Sequence, residues 1–149
     1  MYEQSLVIVV RRFEPSDFQQ VMEIEKEAFS EHNPYLYMQF YESNADTFLV
    51  ASYRGNILGF VVGLQLSDLG KIFSISVRKG YRGMGIGGML LESLIRIFHE
   101  MGLSGVCLEV RESNYRARRF YERHGFIQIG LRQNYYNDGE NALLMGRIL

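Results

Sequence analysis

The chain has little of what builds cross-linked, metal-bound or membrane-spanning scaffolds. Only one of its 149 residues, Cys107, is a cysteine, so no intrachain disulfide forms and a reducing, cytoplasmic setting is expected. The three histidines, His32, His99 and His124, lie too far apart in sequence for zinc-like ligand spacing, and no metal is expected. Neither sign of charge dominates: Lys+Arg of 16 against Asp+Glu of 17 leaves a net charge of -1. A global basic field of the kind that carries nonspecific nucleic-acid binding is therefore absent, and no direct nucleic-acid partner is expected. Long apolar runs are missing too. Leu6 to Val10 spans only about five apolar positions before Arg11-Arg12, too short for a signal-peptide core or a spanning helix, so no membrane partner is expected. No stretch has linker composition, no long charge block stands out and no internal repeat is present. With 47% hydrophobic and 22% charged residues, positions 1–149 read as one domain.

What is present alternates between strand and helix patterns. Leu6 to Phe13 reads as a strand, and Pro15-Ser16-Asp17 supplies the chemistry of a helix start. A helix to about Phe29 follows, with Phe18, Val21, Met22, Ala28 and Phe29 on one face and Glu25 interrupting it. His32 to Ser43 is an irregular aromatic segment, read as a loop and a short helix. Thr47 to Tyr53 and Ile57 to Gln65 are strands joined by the tight-turn composition Arg54-Gly55-Asn56. Ile72 to Val77 is another strand, Met89 to Phe98 follow a helical period, and Gly105 to Val110 reads as a short buried strand. Asn114 is a good N-cap for a helix ended by Gly125. Phe126 to Leu131 and Ala142 to Ile148 make a last strand pair around a polar loop with Asp138-Gly139. The alternation predicts a mixed α/β sheet.

Between strand and helix, the stretch Val77-Arg78-Lys79-Gly80-Tyr81-Arg82-Gly83-Met84-Gly85-Ile86-Gly87-Gly88 is rich in glycine. Glycine permits positive φ and lets backbone approach a ligand without a Cβ clash. A helix N-terminus presents free N–H groups and the positive end of its dipole, so a diphosphate suits this place. A P-loop needs Gly-Lys-Ser/Thr at its end, and Gly87-Gly88-Met89 stands there instead. The dinucleotide fingerprint belongs near a first strand, whereas this loop lies mid-chain.

Arg82-x-x-Gly85-x-Gly87, with Val77 and Tyr81 before it and an amphipathic helix after it, resembles the acyl-CoA motif of the GCN5-related N-acetyltransferases (GNAT). The likeness continues through Leu108-Glu109-Val110-Arg111, Ser113-Asn114, Ala117, Phe120-Tyr121-Glu122 and Gly125-Phe126. It then runs to Arg132-x-Asn134-Tyr135-Tyr136, Asp138-Gly139, Ala142 and Met145, and is similar to the RimI/Ard1 branch, which acetylates protein N-terminal α-amines. The resemblance covers residues 6 to 148, loosely in the first third. It implies the GNAT fold, a central mixed, mostly antiparallel sheet flanked by helices, with acetyl-CoA (coenzyme A) as co-substrate. It also implies a protein or peptide N-terminus as acceptor, such as that of a ribosomal protein, and a monomer or weak homodimer.

By the same resemblance, the backbone of Ile75, Ser76 and Val77 pairs with the pantetheine arm, and the amides of Gly83, Met84, Gly85, Ile86, Gly87 and Gly88 hold the diphosphate. Arg82 is either a charge-assisted contact to it or a solvated cation at the loop rim. Glu109 matches the general base; set among Val106, Cys107, Leu108 and Val110, its carboxylate is expected to be desolvated. Tyr121 matches the acid that donates to the coenzyme A sulfur. Asn114, seven residues or about two turns earlier, faces the same side and contacts the pantetheine arm as well as capping its helix. Tyr35, Tyr135 and Tyr136 are implied walls of the acceptor pocket. Cys107, without a neighbouring histidine, reads as a small buried core residue, so direct transfer is expected rather than an acetyl-cysteine. The histidines read as surface or loop residues, His32 alone being a candidate for the acceptor site. Gly80 departs from the family pattern, in which proline is common two residues before the arginine. Transfer to a lysine or small amine, and a noncatalytic acyl-CoA sensor, are the alternatives. The sensor needs the loop but has no use for Glu109, Asn114 and Tyr121 together.

Overall fold

The computed structural model describes residues 7–29 and 33–149, so the expected strand start at Leu6 and the acceptor-site candidate His32 lie outside the described residues. In chain order the elements are β1 (Val9–Arg12), a 3-10 turn (Pro15–Asp17), α1 (Phe18–Ala28), α2 (Pro34–Asn44), a second 3-10 turn (Ala45–Thr47), β2 (Phe48–Tyr53), β3 (Asn56–Leu66) and β4 (Leu69–Val77). Then come α3 (Ile86–Glu100), β5 (Gly105–Arg111), α4 (Tyr115–Arg123), β6 (Ile127–Arg132) and β7 (Ala142–Ile148).

The strands form one sheet in the order β1-β2-β3-β4-β5-β7-β6. All neighbours pair antiparallel except β4 and β5, which are parallel because the α3 crossover joins them. The mixed, mostly antiparallel sheet expected from the sequence is the one observed. Between β2 and β3, Arg54 and Gly55 both take positive φ (48° and 81°), the two-residue turn whose twist matches the strands it joins.

Several segments differ from their sequence reading: β1 starts at Val9, with Val7 and Ile8 outside it, and α3 starts at Ile86, inside the glycine-rich stretch. The aromatic stretch before β2 is a full helix, α2, started by Pro34 and anchored by buried Tyr37 and Phe40. Strand β4 begins at Leu69, not Ile72, because Leu69-Gly70-Lys71 pairs with Gln65 and its neighbours on β3. Gly70 looks like turn composition, yet a Cβ there would lie 2.6 Å from the Phe98 ring; it is glycine because α3 crosses the sheet closely at that point.

Each sheet face has a core. On one, α3 and α4 cover Leu58, Val61, Ile72, Val106, Leu108 and Val110 with Leu90, Leu94, Phe98 and Tyr121. On the other, α1 and α2 place Val21, Ile24, Tyr37 and Phe40 against Phe48, Val50, Phe60 and Val62. This second core takes no residue from β5, β6 or β7, which leaves one face of that half of the sheet without a helical cover among the described residues.

Candidate functional site

Parallel pairing of β4 with β5 stops after three positions, Leu69↔Gly105, Gly70↔Val106 and Lys71↔Cys107. Beyond them β4 runs on to Val77 and β5 to Arg111 without pairing, so the sheet forks. The β4 edge at Ile75, Ser76 and Val77 thereby faces an open cleft, with backbone groups available to an extended ligand. A cavity of about 610 Å³ fills this fork on the α3/α4 side. Ile75, Ser76, Val77, Arg82, Gly83, Gly85, Ile86, Gly87, Gly88, Asn114 and Tyr121, all expected from the sequence, line it together.

Local geometry explains the glycines. Gly80, Gly83 and Gly85 have φ of 93°, 80° and 82°, and Gly85 is the N-cap of α3, with no side chain capping the helix. The first intrahelical bond at this end runs from the Met89 amide to the Gly85 carbonyl at 3.1 Å. The preceding first-turn amides are therefore left for an anion in the cavity. A Cβ on Gly88 would stand 3.3 Å from the His124 ring, so glycine there lets α4 close against α3. Arg82 donates from Nε to the Val77 carbonyl at 3.1 Å, which folds its guanidinium back along the loop and into the cavity wall. Met84 is half-exposed and is not among the lining residues.

Asn114 caps α4 through an Oδ1 that accepts from the Ala117 amide at 3.2 Å, and it still borders the cavity. Tyr121 lies two turns along, 8% exposed, with its ring against Phe126 and Phe120. Burial raises its hydroxyl above the ordinary tyrosine range, and the nearby Tyr136 pushes it further the same way. The phenol is neutral at pH 7. No described residue hydrogen-bonds its oxygen.

Glu109 departs from its expectation. Along β5 the residues Val106, Leu108 and Val110 face the core under α3, so alternation turns Cys107 and Glu109 to the opposite face. There the Glu109 carboxylate, 9% exposed, meets charge instead of an apolar wall: Lys71 Nζ lies 3.1 Å from Oε1 and 3.0 Å from Oε2, and Arg132 Nε lies 3.4 Å from Oε1. Cys107 is likewise not a core residue. It is half-buried beside Glu109, and burial together with that carboxylate pushes its thiol up, which keeps it in the poorly nucleophilic protonated form.

Tyr135 and Tyr136 meet edge to face at 5.0 Å, and the Arg111 guanidinium stacks on Tyr136 at 4.0 Å. The loop carrying them is tied down by Arg111 to Asp138 and Glu140, both at 2.9 Å, and by the Ser113 amide to Glu140 at 2.9 Å. The Ser113 and Arg111 contacts hold the Glu140 carboxyl at about 2. Tyr136 is thus fixed near both Tyr121 and Glu109, whereas Tyr35 is 81% exposed on the first turn of α2.

Several cavity residues escaped the sequence reading. Arg116, Ala117, Phe120, Arg123 and His124 of the α4 region line it, and the helical period after Asn114 would have pointed to them. His124 stands, as expected, in the turn that ends α4, but its ring is engaged: Nδ1 lies 2.8 Å from Glu92 Oε1, and the ring packs on Phe120. Lys71 carries no sequence signal, and Arg132, although part of the resemblance, gave no sign of its contact with Glu109, since only the sheet brings the two to it. No cluster of metal-ligating side chains exists among the described residues, and no helix there is long and apolar enough to cross a membrane.

Comparison with known proteins gives a consistent picture. A sequence model of the acetyltransferase (GNAT) family matches residues 18–126. The chain is 39% identical over 140 residues to a protein described as an uncharacterised N-acetyltransferase of Methanocaldococcus jannaschii, covering 93% of this chain and 90% of that one. It is 33% identical over 143 residues to the ribosomal protein bS18-alanine N-acetyltransferase of Haemophilus influenzae, covering 92% and 96%. The crystal structure of Ard1 from Thermoplasma volcanium superposes with a TM-score of 0.91 at 31% identity, over 95% of this chain and 97% of that chain. The forked sheet and the glycine turn are thus those of an acyltransferase, and the chain belongs to the GNAT family of N-acetyltransferases.

Proposed function

We propose that the protein transfers an acetyl group from acetyl-CoA directly to the N-terminal α-amine of a protein or peptide. The observation that carries this reading is the fork itself. It opens between a glycine-turn cavity with a neutral Tyr121 and a sheet face presenting a carboxylate, so donor and acceptor reach the same gap from opposite sides. The matched relatives include proteins named for bS18-alanine and N-α acetylation, which supports an α-amine acceptor, including that of a ribosomal protein. The single cysteine supports a reducing, cytoplasmic setting. One domain spanning residues 1–149 accounts for both substrates.

The chain fits acetyl-CoA as co-substrate. Free first-turn amides of α3 with Arg82 suit the diphosphate, the unpaired β4 edge from Ile75 to Val77 suits the amide-bearing arm, and Asn114 borders its path. An α-amine has a reference pKa of about 7.7 to 8, so part of it is protonated at neutral pH and its attack requires loss of a proton. Glu109 accepts that proton as the new C–N bond forms. Tyr121 donates its hydroxyl proton to sulfur as the C–S bond breaks. Tyr135 and Tyr136, on the loop pinned by Arg111, and Tyr35 on α2 flank the acceptor, offering rigid rings and hydroxyls to a peptide backbone. Because the Cys107 thiol is held protonated, transfer runs within a ternary complex and not through an acetyl-cysteine.

Incubation with acetyl-CoA and peptides carrying both free N-termini and internal lysines, followed by fragment-ion mass spectrometry, tests the reading. Acetyl on α-amines is the expected result. Acetyl confined to ε-amines assigns a lysine acceptor, and coenzyme A binding with no transfer assigns a sensor; either overturns the proposal.

A further inference from the structure

Two observations about Glu109 remain without a purpose in that scheme. The Lys71 ammonium spans both of its oxygens, at 3.1 and 3.0 Å. The pair also sits where backbone pairing between β4 and β5 has just ended: Lys71↔Cys107 is the last register pair, and Glu109 lies two residues further along β5 on the same face. Stability alone does not account for it. A largely buried ion pair recovers little beyond its desolvation cost, and apolar side chains of the same size would join the strands equally well. Orientation does account for it. A glutamate side chain has three rotatable bonds, and without Lys71 the one ion pair this carboxylate keeps among the described residues is with Arg132, Nε at 3.4 Å from Oε1.

We propose that Lys71 is a positioning residue for acetyl transfer: its ammonium, clamped across both Glu109 oxygens at the fork, fixes where the carboxylate points as the acceptor amine arrives. This rests on Glu109 being the proton acceptor. The charged and titratable groups facing the carboxylate are Lys71 from β4, Cys107 from β5, Arg132 from β6 and Tyr136 from the loop before β7, with Tyr121 and Arg111 beside Tyr136. Of these, Lys71 alone contacts both oxygens.

The test compares wild type, Lys71→Met, Lys71→Arg, Glu109→Gln and the Lys71→Met/Glu109→Gln double variant. For each, kcat and the two KM values are measured under the same conditions with acetyl-CoA and one acceptor peptide that carries a free N-terminus. Lys71→Met is expected to lower kcat roughly 10- to 100-fold, the scale on which misplacing a reacting group acts, with KM for acetyl-CoA unchanged. Lys71→Arg recovers most of kcat, since a cation again reaches the carboxylate. In the Glu109→Gln background, Lys71→Met adds no further loss. If Lys71→Met does not fold, Lys71→Gln, of similar length and without charge, carries the same expectations. Wild-type kcat in the uncharged variants overturns the proposal. So does an equal loss with and without Glu109, or a raised peptide KM at unchanged kcat, which makes Lys71 an acceptor contact. Failure of the underlying reading looks different: Glu109→Gln itself then turns over at the wild-type rate.

Discussion

Replacing Tyr121 with phenylalanine removes one oxygen and nothing else, which makes it the sharpest probe of the reaction. The ring stays packed on Phe120 and Phe126, and the lost hydroxyl had no hydrogen bond to any described residue. No protein donor or acceptor is orphaned, so the change in stability should stay under about 1 kcal/mol. For a chain of this size that is a Tm shift within about 4 °C. Coenzyme A affinity, carried by the α3 amides and the β4 edge, should be unaltered. The chemical step has lost its proton donor, an effect of about 100-fold or more in kcat, or about 2.7 kcal/mol of transition-state stabilisation. A continuous assay of thiol release at saturating acetyl-CoA and peptide measures it, with calorimetric titration of coenzyme A as the binding control. The wild-type pH profile adds an independent check. Burial raises the Tyr121 hydroxyl, so its protonated form persists to higher pH than that of a free phenol, and kcat should show no loss from this group below about pH 10. Turnover within a factor of about three of wild type, about 0.65 kcal/mol, would refute the role of Tyr121 as acid.

Other substitutions separate the cofactor turn from the core. Gly85→Ala meets no atom within 4 Å, so its effect comes from φ of 82° alone, a strain of about 1–2 kcal/mol. Relief of that strain should distort the turn and weaken coenzyme A binding in a titration. Gly70→Ala instead puts a Cβ 2.6 Å from the Phe98 ring, an overpacking cost of about 1–3 kcal/mol, visible as a lowered Tm with coenzyme A affinity retained by the folded protein. Acid stability should depend on Asp17. Burial tends to raise its carboxyl, but the Arg11 guanidinium at 2.7 and 2.9 Å and the Glu14 amide at 2.9 Å outweigh this and lower it. A lowered folded-state pKa stabilises above the unfolded value, and that stabilisation is lost as pH falls through the folded value. Urea unfolding should therefore show a decline below about pH 4 that Asp17→Asn flattens.

The fold was legible wherever a local pattern expresses itself without help from distant residues. The turn at Arg54-Gly55, the helical period from Met89 to Phe98, and the Asn114 cap seven residues before Tyr121 are each written within a few positions of one another, and each is present in the structure, with α3 starting earlier, at Ile86. Helix α2 and the first three residues of β4 were not legible. In the former, Tyr37 and Phe40 become a helix face only against Phe48 and Phe60; in the latter, Gly70 makes sense only under Phe98.

The candidate site divides the same way. From sequence alone came the glycine turn suited to an anion, Glu109 as a candidate through the family resemblance, and the shared helix face of Asn114 and Tyr121. A phosphate-binding turn is made of consecutive backbone amides, and a helix face of fixed spacing, so both survive in one dimension. The tertiary structure decided the surroundings of Glu109. Strand alternation turned it away from its apolar neighbours, and sheet pairing delivered Lys71 from 38 residues before it. Arg132 came from the far edge strand and Tyr136 from the loop that Arg111 pins. Charge acts through space over a few ångströms, and no spacing along the chain encodes which residues a forked sheet will bring within that reach.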